Sequence, residues 1–433
     1  MSPLHVNSSL IDITPAEPVA LSGYANRKGL STTVHRPLSS RCVVFRAGPE
    51  RVCLVVNDLV DIIPEKTHEI IRRIAGESGL PPDRILIAAI HTHSAPIMED
   101  GYTAANDRYI EWAVPRIVQN AVLAIRENGT APVCTLRTGS ARSTISANRR
   151  LVDPQTGIAA KVSNREGSID QEVGILNIAN DAGSSVVTLF NFACHPVVLG
   201  FDSVVVSTDY PGAARETVER SLGGMAVFLN GAAGDINPFM TDQTDPAVAD
   251  GEGRKLGLAV TGATLEAWTG SPRIDVRRRI VELPYRDRDL TAERINGEVD
   301  RRLDEQTEFH EWKKDLRKWG DLMIQRLNAE GLPNSCTVEM SAMSLGPVLF
   351  LFSQGEVFNE YQIRIKRAFP DRKVFIVSYT NGTRSYIPTA EAFQHKGYEV
   401  DQAYVYSEEP SPLTPEADRV YMQAAEDLLR RVG

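Results

Sequence analysis

The stretch Ile85-Leu-Ile-Ala-Ala-Ile90-His91-Thr92-His93-Ser94-Ala95-Pro96 decides how this chain is read. Six consecutive apolar residues are the pattern of a strand covered on both faces, as in sheets layered with helices. The Ser-Ala-Pro that follows breaks the pattern, because proline brings no N–H to a ladder. His91 and His93 therefore stand at the carboxyl end of a strand, where open α/β sheets carry their ligands. Residues two apart on an extended chain point to one side, which predicts that the two imidazoles share a face. Neutral imidazole is a borderline ligand suited to zinc. The bland alternative, one core histidine and one satisfied surface histidine, stays open on this motif alone.

Working outward, strand-length apolar runs recur at Cys42–Phe45, Val52–Val56, Val173–Ile178, Ser185–Ala193, Ala226–Leu229, Val348–Phe352 and Val374–Val377. Helical patterns intervene at Glu65–Glu77, Tyr109–Glu127, Ala213–Ser221 and Arg254–Ala267. A final helix is predicted from Thr414, with Pro415 at its first position. The mixture predicts an α/β fold of mixed β-sheets layered with helices. Residues 290–327 differ in character, carrying dense alternating charge with apolar residues at helical spacing, and predict a charged helical insertion of one long or two paired surface helices. No linker-like stretch divides the chain, so residues 1–433 are expected to form one catalytic unit containing that insertion.

Composition narrows the function. With 47 Lys+Arg against 56 Asp+Glu the net charge is −9, which offers no global field for a phosphate backbone and argues against nucleic acid as a partner. No run reaches the roughly 18 apolar residues of a membrane span, and no basic segment followed by an apolar core marks an export signal. Five cysteines, odd in number and never in a C-x-x-C pair, suit reduced thiols and a cytoplasmic setting.

A third histidine repeats the context of the first two. Thr188-Leu-Phe-Asn191-Phe-Ala-Cys194-His195-Pro196 is again an apolar strand ending in histidine and proline, which strengthens the metal reading. Cys194 would face the opposite side of such a strand and is not counted as a ligand. The loop Asn230-Gly231-Ala-Ala-Gly234-Asp235-Ile-Asn237-Pro238 also follows a short apolar strand. Its small residues permit close backbone approach to a substrate or an anion nest, but it lacks the Lys-Ser/Thr of a nucleotide loop.

Taken in order, His91-Thr-His93-Ser, Asn191-Phe-Ala-Cys-His195-Pro, Asp209-Tyr-Pro-Gly212 and Asn230-Gly-Ala-Ala-Gly-Asp235 resemble the neutral/alkaline non-lysosomal ceramidase family. Ile11-Asp-Ile-Thr-Pro15 with Gly23-Tyr24 looks like that family's opening signature, and the likeness runs from about Asp12 to Tyr398. The resemblance implies a ceramidase-like catalytic domain. It implies one zinc ion per chain held by His91, His195, Glu356 and Tyr386, though manganese or iron also suits such a set. It further implies a proton-transfer role for His93, a substrate-facing Arg149, an oxyanion donor in Tyr398, and a substrate loop containing Gly231, Gly234 and Asp235.

The implied function is zinc-dependent cleavage of a linear N-acyl amide by metal-bound water; because the chain departs from the family in length and shows no export signal, its small-molecule substrate is expected to be smaller and more soluble than ceramide. Homo-oligomer formation is left open. The family's Gly-Asp-Val-Ser-Pro, whose serine has been proposed as a nucleophile, reads here Gly234-Asp235-Ile236-Asn237-Pro238. An amide cannot serve as an acyl-enzyme nucleophile, so Asn237 is expected to orient substrate or donate to the oxyanion. Two alternatives stand beside the amidase: a zinc esterase or lactonase, and a non-catalytic metal-retaining binding protein.

Overall fold

The computed structural model describes residues 2–305 and 310–432. Its main sheet runs, edge to edge, through Met225–Asn230, Ser185–Phe192, Glu172–Asn180, Val133–Arg142, Leu4–Asp12, Ser39–Ala47, Glu50–Asn57 and Ile85–Ala89. The pairs at the two ends of this order are parallel and those between are antiparallel. The expectation of mixed sheets covered by helices is met. Both histidine-bearing strands lie at or next to an edge of the sheet, and the continuous apolar runs belong to strands buried on both faces.

A second sheet of Ile274–Pro284, Ser335–Leu345, Val348–Ser353 and Lys373–Val377 packs against the first, with Phe190, Phe350, Phe352 and Phe375 in one core. Gly174 makes this contact possible, since a Cβ there would lie 2.5 Å from the Phe375 ring. Two smaller sheets complete the site's scaffold. One joins Ile236–Pro238, Ser146–Val152 and Ala159–Asn164; the other pairs Glu356–Val357 with Tyr386–Ile387.

Three sequence expectations are corrected. The helix read over Arg254–Ala267 is Pro246–Thr261, opened by the Asp245 cap, and Glu266–Ala267 joins the main sheet as a short strand. The long helix begins at Ala104 rather than Tyr109, because the Thr103 hydroxyl accepts from the Asn106 N–H. His91 is not on extended chain: the strand stops at Ala89, and His91 adopts φ 71°.

Helices Ala292–Glu305 and His310–Ala329 occupy the charged segment, of which residues 306–309 lie outside the described residues. Ile295, Leu316, Trp319 and Met323 are buried against Tyr404 and Val405, so these helices pack on the chain that follows Tyr398.

One buried ion pair secures the helix Tyr210–Leu222 to the main sheet. Arg215 donates to both oxygens of Asp58 at 2.5 and 2.9 Å, and Ser39 adds an N–H and a hydroxyl at 2.7 Å each. Removing one partner strands a desolvated charge. Arg215→Met is expected to cost about 3–5 kcal/mol, read as a fall in thermal denaturation midpoint.

Candidate metal centre

The site forms where the ends of the two histidine strands meet the loop that begins at Asn230. The Asn230 side chain is buried; its Nδ2 donates to Ile90 O at 3.0 Å and its Oδ1 accepts from Cys194 N–H at 3.3 Å. Each of those residues directly precedes a histidine. His91 N–H then bonds to Leu59 O at 2.9 Å, which holds the left-handed backbone in place.

Backbone carbonyls fix the two rings. His91 Nδ1 lies 2.8 Å from Val60 O, and His195 Nδ1 lies 2.6 Å from Ala233 O. A carbonyl only accepts, so Nδ1 carries the proton in both and each Nε2 presents a lone pair. Those lone pairs converge. Nε2 of His93 is 3.3 Å from Nε2 of His91, and Glu356 Oε2 is 3.4 Å from His91 Nε2 and 3.0 Å from His195 Nε2. Candidate ligand nitrogens of His91, His93 and His195 all lie within 4.8 Å of one another.

Electrostatics decides what fills that space. Burial lowers His195 to about 3, with Arg149 adding to the effect, and burial also holds His93 well below the ordinary imidazole value. These two rings stay neutral near pH 7. Burial alone would raise Glu356, but His91 and His195 outweigh it and keep the carboxyl well below its usual range. Converging neutral imidazoles beside an ionised carboxylate form a donor set for a metal cation, and the residues fit one.

Glu356 follows Gly355, which sits at φ 88°, and pairs in register with Tyr386 between two short parallel strands. The Tyr386 phenol oxygen accepts from Arg149 Nη2 at 3.0 Å. Arg149 also donates to Asn237 Oδ1 at 3.0 Å and to Glu399 Oε1 at 2.9 Å. Tyr398 opens a π-helical turn after Gly397, with its ring centroid 5.8 Å from that of Tyr386. The structure thus gathers His91, His93, His195, Glu356, Tyr386, Arg149, Asn237 and Tyr398 about one centre.

The small-residue loop has a different geometry from an open substrate cradle. Gly231 N–H bonds to Phe192 O, Gly234 N–H bonds to Val357 O, and a Cβ on Gly234 would lie 2.4 Å from Glu356 O. The Asp235 carboxylate accepts from Asn359 N–H at 2.7 Å and Asn148 Nδ2 at 3.1 Å. Gly231, Gly234 and Asp235 therefore stand within the scaffold, holding Glu356 and His195 in place.

Sequence reasoning assigned no role to three residues. Glu399 pairs with both Arg149 and Arg150, one on each oxygen. Tyr379 stacks on His91 at 3.9 Å between centroids. Gly23 sits at φ 94° with its position of a Cβ only 2.3 Å from the His93 ring, so only glycine lets that ring pass. The adjacency of Glu399 to Tyr398 was the available signal for the first; nothing in the local sequence marked Tyr379.

Comparison with known proteins agrees with this architecture. The profile of the family described as "Neutral/alkaline non-lysosomal ceramidase, N-terminal" matches residues 5–249. A neutral ceramidase of Oryza sativa subsp. japonica is 25% identical over 227 residues, which is 50% of this chain and 29% of that protein. The match therefore spans less than a third of the rice protein's length. Among solved structures, the neutral ceramidase from Pseudomonas aeruginosa superposes with a TM-score of 0.73 at 19% identity, covering 100% of this chain and 75% of that one. A ceramidase solved in complex with C2 gives 0.71 at 18% identity over 100% and 76%. These two likenesses show the fold.

Two substitutions separate ligand from scaffold. His195→Ala is expected to abolish stoichiometric metal retention, read by elemental analysis of purified protein. Asn230→Ala leaves Cys194 N–H and Ile90 O without their partner, so it is expected to cost about 2–4 kcal/mol in thermal unfolding as well as weakening metal retention.

Proposed function

The chain belongs to the neutral/alkaline non-lysosomal ceramidase family, and on that premise we propose that it is a zinc-dependent hydrolase of linear N-acyl amides. The observation that carries this reading is the convergence of the His91, His93 and His195 ring nitrogens, with the Glu356 carboxylate set against those of His91 and His195. His91, His195 and Glu356 would hold the metal with Tyr386. When bound, zinc lowers the pKa of water toward about 7 and polarises a carbonyl.

The chain's own groups supply the remaining work. His93 is neutral, and its Nδ1 is buried with no hydrogen-bond partner among the described residues. A ring in that state can take a proton at Nε2 from the attacking water and return it to the leaving nitrogen. The Tyr398 phenol, raised by burial and by Glu356, keeps its proton and can donate to the oxyanion as it develops.

Arg149 links the two halves of the reaction. Its three donor groups reach Glu399, Asn237 and Tyr386, so one guanidinium sets the positions of the Asn237 amide and the Tyr386 phenol together. Asn237 accepts through Oδ1, which leaves its Nδ2–H₂ to donate to a substrate carbonyl. With an amide at this position no acyl-enzyme is expected, and the water attacks directly.

The test is acid release by zinc-loaded protein from short-chain ceramide, soluble N-acyl amines and matched esters, with and without chelator. Chelator-sensitive cleavage of at least one amide is the expected result. Ester turnover alone would replace the amidase with an esterase, and silence on all substrates with metal retained would leave a binding protein. Tyr398→Phe is expected to lower kcat about 100-fold while changing KM little, as for loss of one oxyanion donor.

A further inference from the structure

We propose that Lys161 is a specificity-determining residue that pairs with a compact anionic group on the substrate, so that the preferred N-acyl amide carries a carboxylate or phosphate. This rests on the hydrolase reading for the amide bond, but not for the anion.

The placement follows from the small sheet. Ala159–Asn164 pairs with Ser146–Val152, setting Lys161 opposite Arg150 and one residue from Arg149 in the register. The Lys161 ammonium lies 4.7 Å from the centroid of the Tyr398 ring. That ring lies 5.8 Å, centroid to centroid, from the Tyr386 ring, so the ammonium borders the space around the metal centre.

Among the described residues, the neighbouring cations Arg149, Arg150 and Arg27 are already paired. Arg149 serves Glu399, Asn237 and Tyr386; Arg150 serves Glu399 and Lys396 O. Arg27 donates to the carbonyls of Ser22, His93 and Gly200. Lys161 has neither a carboxylate within 4.0 Å nor a hydrogen-bond acceptor among the described residues; its ammonium rests against the face of the Tyr398 ring.

An ammonium in that position is incompletely compensated. An aromatic face attracts a cation but offers no hydrogen-bond acceptor. An incoming anion would supply both charge and acceptors. The residue as a whole remains exposed, so a ligand can reach it. In a chain of net charge −9 the global field disfavours anions, which makes a local cation necessary if the substrate is one.

The test measures binding by calorimetry to metal-loaded wild type, Lys161→Met and Lys161→Arg. The probes are N-lauroylglycine, the phosphate ester of N-lauroylethanolamine, and uncharged N-lauroylethanolamine, which share one acyl chain. At least one anionic probe is expected to bind wild type about tenfold tighter than the neutral one, the size of a charge-assisted hydrogen bond. Lys161→Met is expected to lose that preference while its affinity for the neutral probe is unchanged, and Lys161→Arg to keep it. The stronger anionic probe tells carboxylate from phosphate.

Equal binding of all three probes, no binding of any, or an equal loss on all in Lys161→Met would overturn the proposal. Hydrolysis of the same probes separates the two readings. Cleavage of the neutral amide without anionic preference keeps the hydrolase and removes the anion site. Preferential anion binding without any turnover keeps the anion site and removes the hydrolase.

Discussion

One side-chain amide, that of Asn230, donates to the carbonyl of Ile90 and accepts from the N–H of Cys194, so the residues following each, His91 and His195, are held relative to one another by a single planar group. The two histidines follow strands on opposite sides of the main sheet's order, one the edge strand and the other next to the far edge. Neither strand pairs with the other. Their approach depends on the loop after Met225–Asn230 crossing between them, and that loop also supplies Ala233 O to orient His195 and Gly234 N–H to hold the strand of Glu356. A buried amide with both ends satisfied specifies one geometry, because any rotation leaves a donor and an acceptor unpaired.

The charges around the centre obey the same economy. Arg149, Arg150 and Glu399 are all buried, and the carboxylate takes one guanidinium on each oxygen. The arrangement keeps a net positive charge beside Glu356 and Tyr386. That charge disfavours protonation of His195 and so preserves its lone pair for a cation. Burial and a fixed cation therefore act together: they set the protonation state of the ligands before any metal arrives.

The two charged helices bear on the site through the chain that carries Tyr398 and Glu399. Trp319 Nε1 donates to Glu409 O at 2.9 Å, Arg326 to Glu408 O at 3.0 Å, and the Arg302 guanidinium lies over the Tyr404 ring at 4.8 Å. Lys318 reaches Glu99, on the segment after His93, at 3.0 Å. What reads from composition as a charged surface insertion is, among the described residues, a buttress touching both the Tyr398 segment and the His93 segment. We place it with the 1–433 unit as a single proposed domain.

The local sequence determined a good deal. Continuous apolar runs placed the central strands and the α/β class, because a strand covered on both faces leaves no room for polar residues; the histidines at their ends were legible for the same reason. Sequence also exposed the Asn237 substitution, which needs no coordinates. Tertiary structure decided the rest. His91 left the extended chain because its N–H and Nδ1 are claimed by Leu59 and Val60, more than thirty positions away in the chain. The glycine loop became scaffold because its N–H groups are taken by strands from elsewhere, and Glu399, Tyr379 and Lys161 gained their places only through contacts far apart in sequence. Periodicity records which face of an element is buried; it carries no information about which distant atom will satisfy a given donor, and this site is built from such pairings.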